Sequence, residues 1–304
     1  MVRRSRTRAV VLTLLAFFVI IFVIIPLSLL AFDGTVVGNV ALIPIKGMIT
    51  GDGGSYLGQG TVSSQMIVGF IEEAEKDATL KAIVLEINSP GGSAVASDEI
   101  AAAVKKSKKP VIALIRESGA SGAYWIASAT DEIVANRMSI TGSIGVVSSY
   151  LEFSGLMEKY GVGYERLVAG DYKDMGSPFQ QLNDKEKKIM QSKLDKIHDY
   201  FISEVVKNRN MSDEQVRKLA TGEFFLGVEA KELGLVDELG DKDTVERILK
   251  EKYGLTEVQY VPFETEASLF DLLAGVFSSF SFTMGQGVGS TLLQGQTTNS
   301  LLLV

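Results

Sequence analysis

Val111-Ile112-Ala113-Leu114-Ile115-Arg116-Glu117-Ser118-Gly119-Ala120-Ser121-Gly122-Ala123-Tyr124-Trp125-Ile126-Ala127 is the stretch that decides the fold. Pro110 opens it and Val111 to Ile115 reads as a buried strand. A glycine-flanked turn, Gly119 to Ala123, follows, and then an apolar helix through Tyr124, Trp125 and Ile126. Working outward, the same grammar repeats. Ala82 to Ile87 is a second buried strand, ended by Asn88-Ser89-Pro90-Gly91-Gly92, with a helix from about Ala94 to Lys106. Glu132 to Ala135 is a third, leading to Thr141-Gly142-Ser143-Ile144-Gly145. Strands alternating with helices predict parallel βαβ units, and in such sheets sites form at the carboxyl ends of strands. Both glycine-rich turns fall there.

Upstream, Val40 to Ile45 reads as a short strand and Gly51 to Gly60 as a surface loop. Val62, Met66, Phe70 and Ala74 recur at helical spacing. The second half is more helical. Asn183 to Arg209 reads as one long helix with Met190, Leu194, Ile197, Phe201 and Val205 as its apolar stripe. Shorter helices are expected near Ser212 to Leu219, Val228 to Leu233 and Asp241 to Lys252.

The chain has 304 residues, 46% of them hydrophobic, and a formal net charge of -7. No basic field is available to hold a phosphate backbone, so no nucleic-acid partner is expected. Cysteine is absent, which removes disulfides, thiol nucleophiles and thiolate metal sites. Residues 1–8 carry Arg3, Arg4, Arg6 and Arg8, and an uncharged run from Ala9 to Phe32 follows, closed by Asp33. Twenty-four residues at ~1.5 Å each reach ~36 Å, enough to cross a ~30 Å hydrocarbon core. Arginines on one side predict a signal anchor at 9–32, its N-terminus cytoplasmic and the bulk of the chain extracytoplasmic, with a cleaved signal peptide as the competing reading. The domain proper is expected over 40–254. A tail, 255–304, holds no charge after Asp271. Its apolar end, Ser300 to Val304, is a candidate to enter the protein's own groove.

Covalent cleavage of an acyl bond needs a nucleophile, a base and an oxyanion hole. Without cysteine the nucleophile is Ser or Thr. The chain has a single histidine, His198, mid-helix between Lys196 and Asp199, where a helix-surface or boundary role accounts for it. A histidine triad therefore has little to draw on, and no HExxH or other histidine cluster offers a zinc site. Lysine remains as the base. It serves only when neutral, and its ordinary pKa of ~10.4 falls by several units on burial. Ser121, at a strand end and a helix start, is the candidate nucleophile; the plain alternative is a helix cap. Pro90-Gly91-Gly92 supplies backbone N–H groups facing the same crevice, or is an ordinary strand-to-helix turn. It lacks the GK[ST] ending of a phosphate loop, and no cofactor is expected. Lys173 reads locally as a solvated loop lysine.

Five segments in order resemble the signal peptide peptidase A family, the Ser–Lys members of the ClpP/crotonase superfamily. They are Asn88 to Gly92, Gly119 to Ala127, Thr141 to Val146, Tyr172-Lys173-Asp174-Met175-Gly176-Ser177-Pro178, and Leu233 to Gly240. The resemblance implies an α/β fold of repeated ClpP/crotonase-like βαβ units with a helical second half, behind one N-terminal transmembrane helix. It implies Ser121 as nucleophile, Lys173 as general base, Ser143 as the serine that positions the lysine, and Gly92 with Gly122 as the oxyanion hole. It further implies a membrane-anchored endopeptidase acting on apolar peptides and signal-peptide remnants, assembled as a homo-oligomeric ring, with the serine and lysine of each site drawn from one subunit or from two. Its partners would be peptide substrates, membrane lipid through the N-terminal helix, and copies of itself. The chain departs from the family in reading Gly91-Gly92-Ser93 where many relatives have a third glycine. The rivals are the NfeD-type membrane proteases, against which Gly176-Ser177-Pro178 speaks, crotonase-like acyl-CoA enzymes, which use carboxylates, and a non-catalytic membrane scaffold.

Overall fold

A computed structural model describes residues 13–20, 24, 38–56 and 59–264. The fold is mixed α/β around a parallel sheet, as the alternation predicts. Its strands are β1 (Val40–Lys46), β2 (Met48–Thr50), β3 (Gly54–Tyr56), β4 (Gln59–Ser63), β5 (Ala82–Ser89), β6 (Val111–Ala120), β7 (Glu132–Ala135), β8 (Ile140–Gly142), β9 (Phe224–Leu226), β10 (Glu238–Leu239) and β11 (Tyr260–Pro262). Its helices, numbered from the first that follows β1, are α1 (Ser64–Lys76), α2 (Ala94–Lys106), α3 (Gly122–Ser128), α4 (Ser154–Lys159), α5 (Asp184–Arg209), α6 (Asp213–Leu219), α7 (Gly227–Glu232) and α8 (Lys242–Tyr253). The main sheet runs β10-β7-β6-β5-β1-β11, every neighbour parallel.

β6 is the hinge of the topology. Its first half pairs with β7 through Ile112 to Ile115, and its last three residues pair with β8. β9 then lies antiparallel on β8. Both halves of the sheet therefore converge on the carboxyl end of β6. A small second sheet, β2-β4-β3, meets the turn after β5 through a bridge between Ile49 and Gly92.

The core follows from strand alternation. Val84, Ile112, Leu114 and Val134 face α8, where Val245, Ile248 and Leu249 cover them, all at most 2% exposed. The residues between them, Ile83, Leu85, Ala113 and Ile133, are equally buried and face the other way, toward α1, α2 and α3. Each aliphatic side chain taken from water contributes about 1.5–3 kcal/mol.

Two apolar patterns read differently in three dimensions. Ser63 caps α1 by accepting from Met66 N–H, so Val62 belongs to β4 and the buried residues are Ser64, Ile67, Ile71 and Ala74. A uniform spacing of four drifts by about 40° per step around a helix of 3.6 residues per turn; the 3-4-3 spacing tracks the core. On α5 only Phe201, Ile202 and Val205 among the apolar residues are buried, while Ile197 is exposed. The first half of that helix leaves the sheet.

β11 lies past Gly254 and pairs with β1, Val40 opposite Tyr260. Most of the expected anchor, 9–32, and of the tail lies outside the described residues. Residues 13–19 are helical. Among the described residues no helix is long and apolar enough to cross a membrane.

Arg209 ties the end of α5 to the sheet. Its Nη2 and Nη1 donate to the Asp237 carboxylate at 2.6 and 3.0 Å, and that carboxylate also accepts from Ile133 N–H at 2.7 Å. The Arg209 side chain is only 8% exposed. Asp237→Ala strands this guanidinium, and the expected loss is about 2–3 kcal/mol. That is less than for a fully enclosed pair, because Asp237 is partly open to water. Urea denaturation of the two proteins measures it.

Candidate active site

Ser121 joins β6 to α3 with φ 54 and ψ -125. That combination belongs to the first central position of a type II′ turn, where glycine is usual. Its side chain makes no cap hydrogen bond, so the plain alternative of a helix cap does not hold. The backbone is fixed on both sides: Ser121 N–H donates to Gly142 at 2.8 Å, and Trp125 N–H donates to Ser121 C=O at 3.0 Å. The turn adopts the strained strand-to-helix geometry that presents a nucleophile above a sheet.

The glycines around it are required by space. A Cβ on Gly91, itself at φ 104, would stand 2.8 Å from both Ala120 C=O and Gly122 N, and 2.9 Å from Ser121 Cβ. A Cβ on Gly92 would stand 2.0 Å from Ile49 C=O. A Cβ on Gly122 would stand 3.3 Å from Gly92 N, so the amides of Gly92 and Gly122 are neighbours. Gly91 C=O and Ser93 N–H are both bonded to Ile49, at 2.9 and 2.8 Å. Among the described residues no hydrogen bond takes up the N–H of Gly92 or of Gly122.

Ser143 comes to the same place by the pairing of β8 with β6. It also has a positive φ, 50. Its N–H donates to Glu223 C=O at 2.9 Å and its Oγ to Gly222 C=O at 3.2 Å.

Two clefts open beside Ser121. One, of about 300 Å3, is lined by Ser121, Ser143, Gln191, Asp195 and His198 among others, and is as polar as it is apolar. The other, of about 330 Å3, is walled by Trp125, Val146, Val147, Leu194, Ile197 and Phe201, with Gly92 and Gly122 at its rim. Trp125 stacks on Phe201 at 4.8 Å between ring centroids, which fixes the floor of this apolar cleft. Leu194 and Ile197, two residues of the apolar stripe read from the sequence, are cleft wall. His198 was assigned no part in the site, yet α5 carries it to within the cleft that holds both serines.

Ser121, Ser143, Gly92 and Gly122 are thus brought together within one subunit. Lys173 is not among them. It lies exposed in a turn whose N–H bonds Gly170 C=O at 3.1 Å, and it lines neither cleft. Arg166 clamps that turn by a two-pronged pair with Asp174, both contacts 2.6 Å. Hydrogen bonding from Arg166 holds the Asp174 carboxyl below its ordinary value. The clamp is therefore present above the ordinary carboxylate range and is lost as pH falls through the lowered value. Around Lys173 the segment 147–179 leaves large apolar side chains in water. Leu167 is 99% exposed, Val147 85%, Leu151 73% and Tyr160 70%.

The sequence pattern of Peptidase family S49 matches residues 103–256. A protein of Methanocaldococcus jannaschii, provisionally named protease MJ0651, is 34% identical over 227 residues, 74% of this chain and 72% of that one. A protein of Enterococcus faecium, provisionally named signal peptide peptidase SppA, is 34% identical over 237 residues, 76% of this chain and 69% of that one. Protease 4 of Haemophilus influenzae is 36% identical over 205 residues, 66% of this chain but 33% of its own length.

The strain at Ser121 has a measurable consequence. A non-glycine residue held at such angles costs about 1–3 kcal/mol, and glycine loses about 0.5–1 kcal/mol more than other residues on ordering. Ser121→Gly is therefore expected to stabilise the fold by about 1 kcal/mol. Chemical denaturation of the variant checks it.

Proposed function

The chain belongs to peptidase family S49 and is a serine peptidase, and from that premise we propose that Ser121 is its nucleophile and that Lys173 of a neighbouring copy is the base. The observation that carries this reading is Ser121 itself. It sits on a strained turn, free of any capping bond, beside two adjacent unbonded amides and between two clefts.

The chemistry runs as follows. The lysine amine, neutral, takes the proton of Ser121 Oγ as that oxygen attacks the scissile carbonyl. The oxyanion that forms is received by the N–H groups of Gly92 and Gly122. The ammonium returns its proton to the departing amine, leaving an acyl-enzyme on Ser121. Water, deprotonated by the same lysine, then releases the acid and restores the serine. Ser143, in the cleft shared with Ser121, would accept a hydrogen bond from the lysine and aim it. The apolar cleft on the other side suits an aliphatic side chain next to the cut.

Supply of the lysine by a second copy accounts for two features at once. Lys173 is exposed within its own subunit, and the segment that bears it exposes more apolar surface than a lone subunit usually keeps in water. Packing of that segment on a neighbour would cover this surface and bring the amine to Ser121 and Ser143. A closed ring is the natural outcome of such a head-to-tail contact. The basic-then-apolar N-terminus would hold the ring on the membrane with the domain on its outer side. There, apolar peptides such as signal-peptide remnants would be the substrates, in keeping with the name of the Enterococcus relative.

The full chain, assayed on a fluorogenic peptide with an aliphatic residue before the cut, is expected to lose at least about a thousandfold in kcat with Ser121→Ala or Lys173→Ala. Mixing the two inactive variants and letting them reassemble is expected to restore about a quarter of the wild-type rate, because random pairing joins an intact serine to an intact lysine at that share of interfaces. Mixtures as dead as their parts, from assemblies shown to exchange subunits, would place both residues in one chain. The rate is also expected to rise with pH into the alkaline range, since only the neutral amine is a base. A profile that plateaus near pH ~6.5 and is lost in His198→Ala would indicate histidine instead.

A further inference from the structure

His198, the only histidine of the chain, lines the polar cleft with Ser121 and Ser143. Its Nε2 lies 3.3 Å from Ile144 C=O. A carbonyl only accepts, so Nε2 carries the proton and donates. The same carbonyl accepts from Gly222 N–H at 3.1 Å, and Ile144 is fully buried. Both lone pairs of this oxygen are thereby engaged, one by the loop before β9 and one by α5.

Ile144 follows Ser143, whose positive φ is an angle that side-chain-bearing residues seldom adopt unaided. The Ser143 turn must therefore be held from outside. Glu223 and Gly222 hold it from the β9 side. His198 holds it from α5, the helix whose Leu194, Ile197 and Phe201 wall the apolar cleft. We infer that His198 is a positioning residue: its Nε2–H fixes the Ile144 carbonyl and so sets where the Ser143 hydroxyl stands relative to Ser121.

This role rests on the Ser121–Lys173 reading and extends it. Histidine touches no reacting atom in it and carries no proton of the reaction. It joins the wall of the substrate cleft to the serine that would aim the lysine, so that one helix organises both.

The test is kinetic, on the full chain and the same peptide. His198→Phe removes the donor and is expected to lower kcat about 3–10-fold, the size of one hydrogen bond, with KM within about twofold of wild type. His198→Gln, whose Nε2–H reaches the same carbonyl but is no base, is expected to recover most of that loss. In a Ser143→Ala background the His198→Phe change is expected to add nothing, because both act through one hydroxyl. Melting temperatures are taken in parallel. The inference is overturned by any of three results: His198→Phe with wild-type kcat, His198→Gln as poor as His198→Phe, or losses that multiply with Ser143→Ala. Should the phenylalanine fail to fit, His198→Ala, which also lacks the donor, takes its place in all three comparisons. A Ser121→Ala protein that remains active would sink the wider reading. A dead Ser121→Ala protein with an unaffected His198→Phe protein would sink this inference alone.

Discussion

The fold turns on the close contact between two backbone turns, Gly91-Gly92 after β5 and Ser121-Gly122 after β6. Neither can move without the other: the Gly91 Cα faces Ser121 Cβ across a gap that has no room for a methyl group. Parallel strands bring their carboxyl ends side by side, and β6 outruns β7 to pair with β8. Ser143 therefore arrives beside Ser121 through strand pairing, without any direct side-chain bond between them. The buried sheet and the α8 cluster beneath it supply the rigidity against which a strained serine can be kept.

The helix α5 divides the space above these turns. Its second half is core, with Phe201 stacked on Trp125 and Arg209 paired to Asp237. Its first half overhangs the serines and separates an apolar cleft from a polar one. An asymmetric groove of this kind suits a peptide backbone that must present one aliphatic side chain inward while the reaction proceeds on the other side. The same division explains why the apolar positions of α5 are not uniformly buried.

Much of this was legible in the sequence because it is local. β7 spans Glu132–Ala135, and α2 spans Ala94–Lys106, where alternation and apolar runs place them. Ser121 stands out through its glycine neighbours, Gly119 and Gly122, which a turn this closely packed needs. What was not legible depends on distance. The pairing of β8 onto the end of β6, the return of β11 to β1, and the exposure of Ile197 come from contacts between residues far apart in the chain. The one-residue rotation of α1 came from a cap, Ser63, that shifts the helix start. Lys173 was found through resemblance alone. Its own surroundings, an exposed turn clamped by Arg166 and Asp174, carry no local mark of a base.

On the proposed reading, the exposed apolar segment around Lys173 and the clefts beside Ser121, which no lysine lines, would be two halves of one site. The direct measurement is the distance from Ser121 Oγ to Lys173 Nζ in the assembled full chain, read from a cryo-electron microscopy structure of the membrane-extracted oligomer. Hydrogen-bond reach, about 2.6–3.2 Å, between residues of adjacent copies and with Ser143 Oγ also within reach of the amine, is the predicted result. An assembly in which every Lys173 stays in water, with another group seated against Ser121, would contradict it.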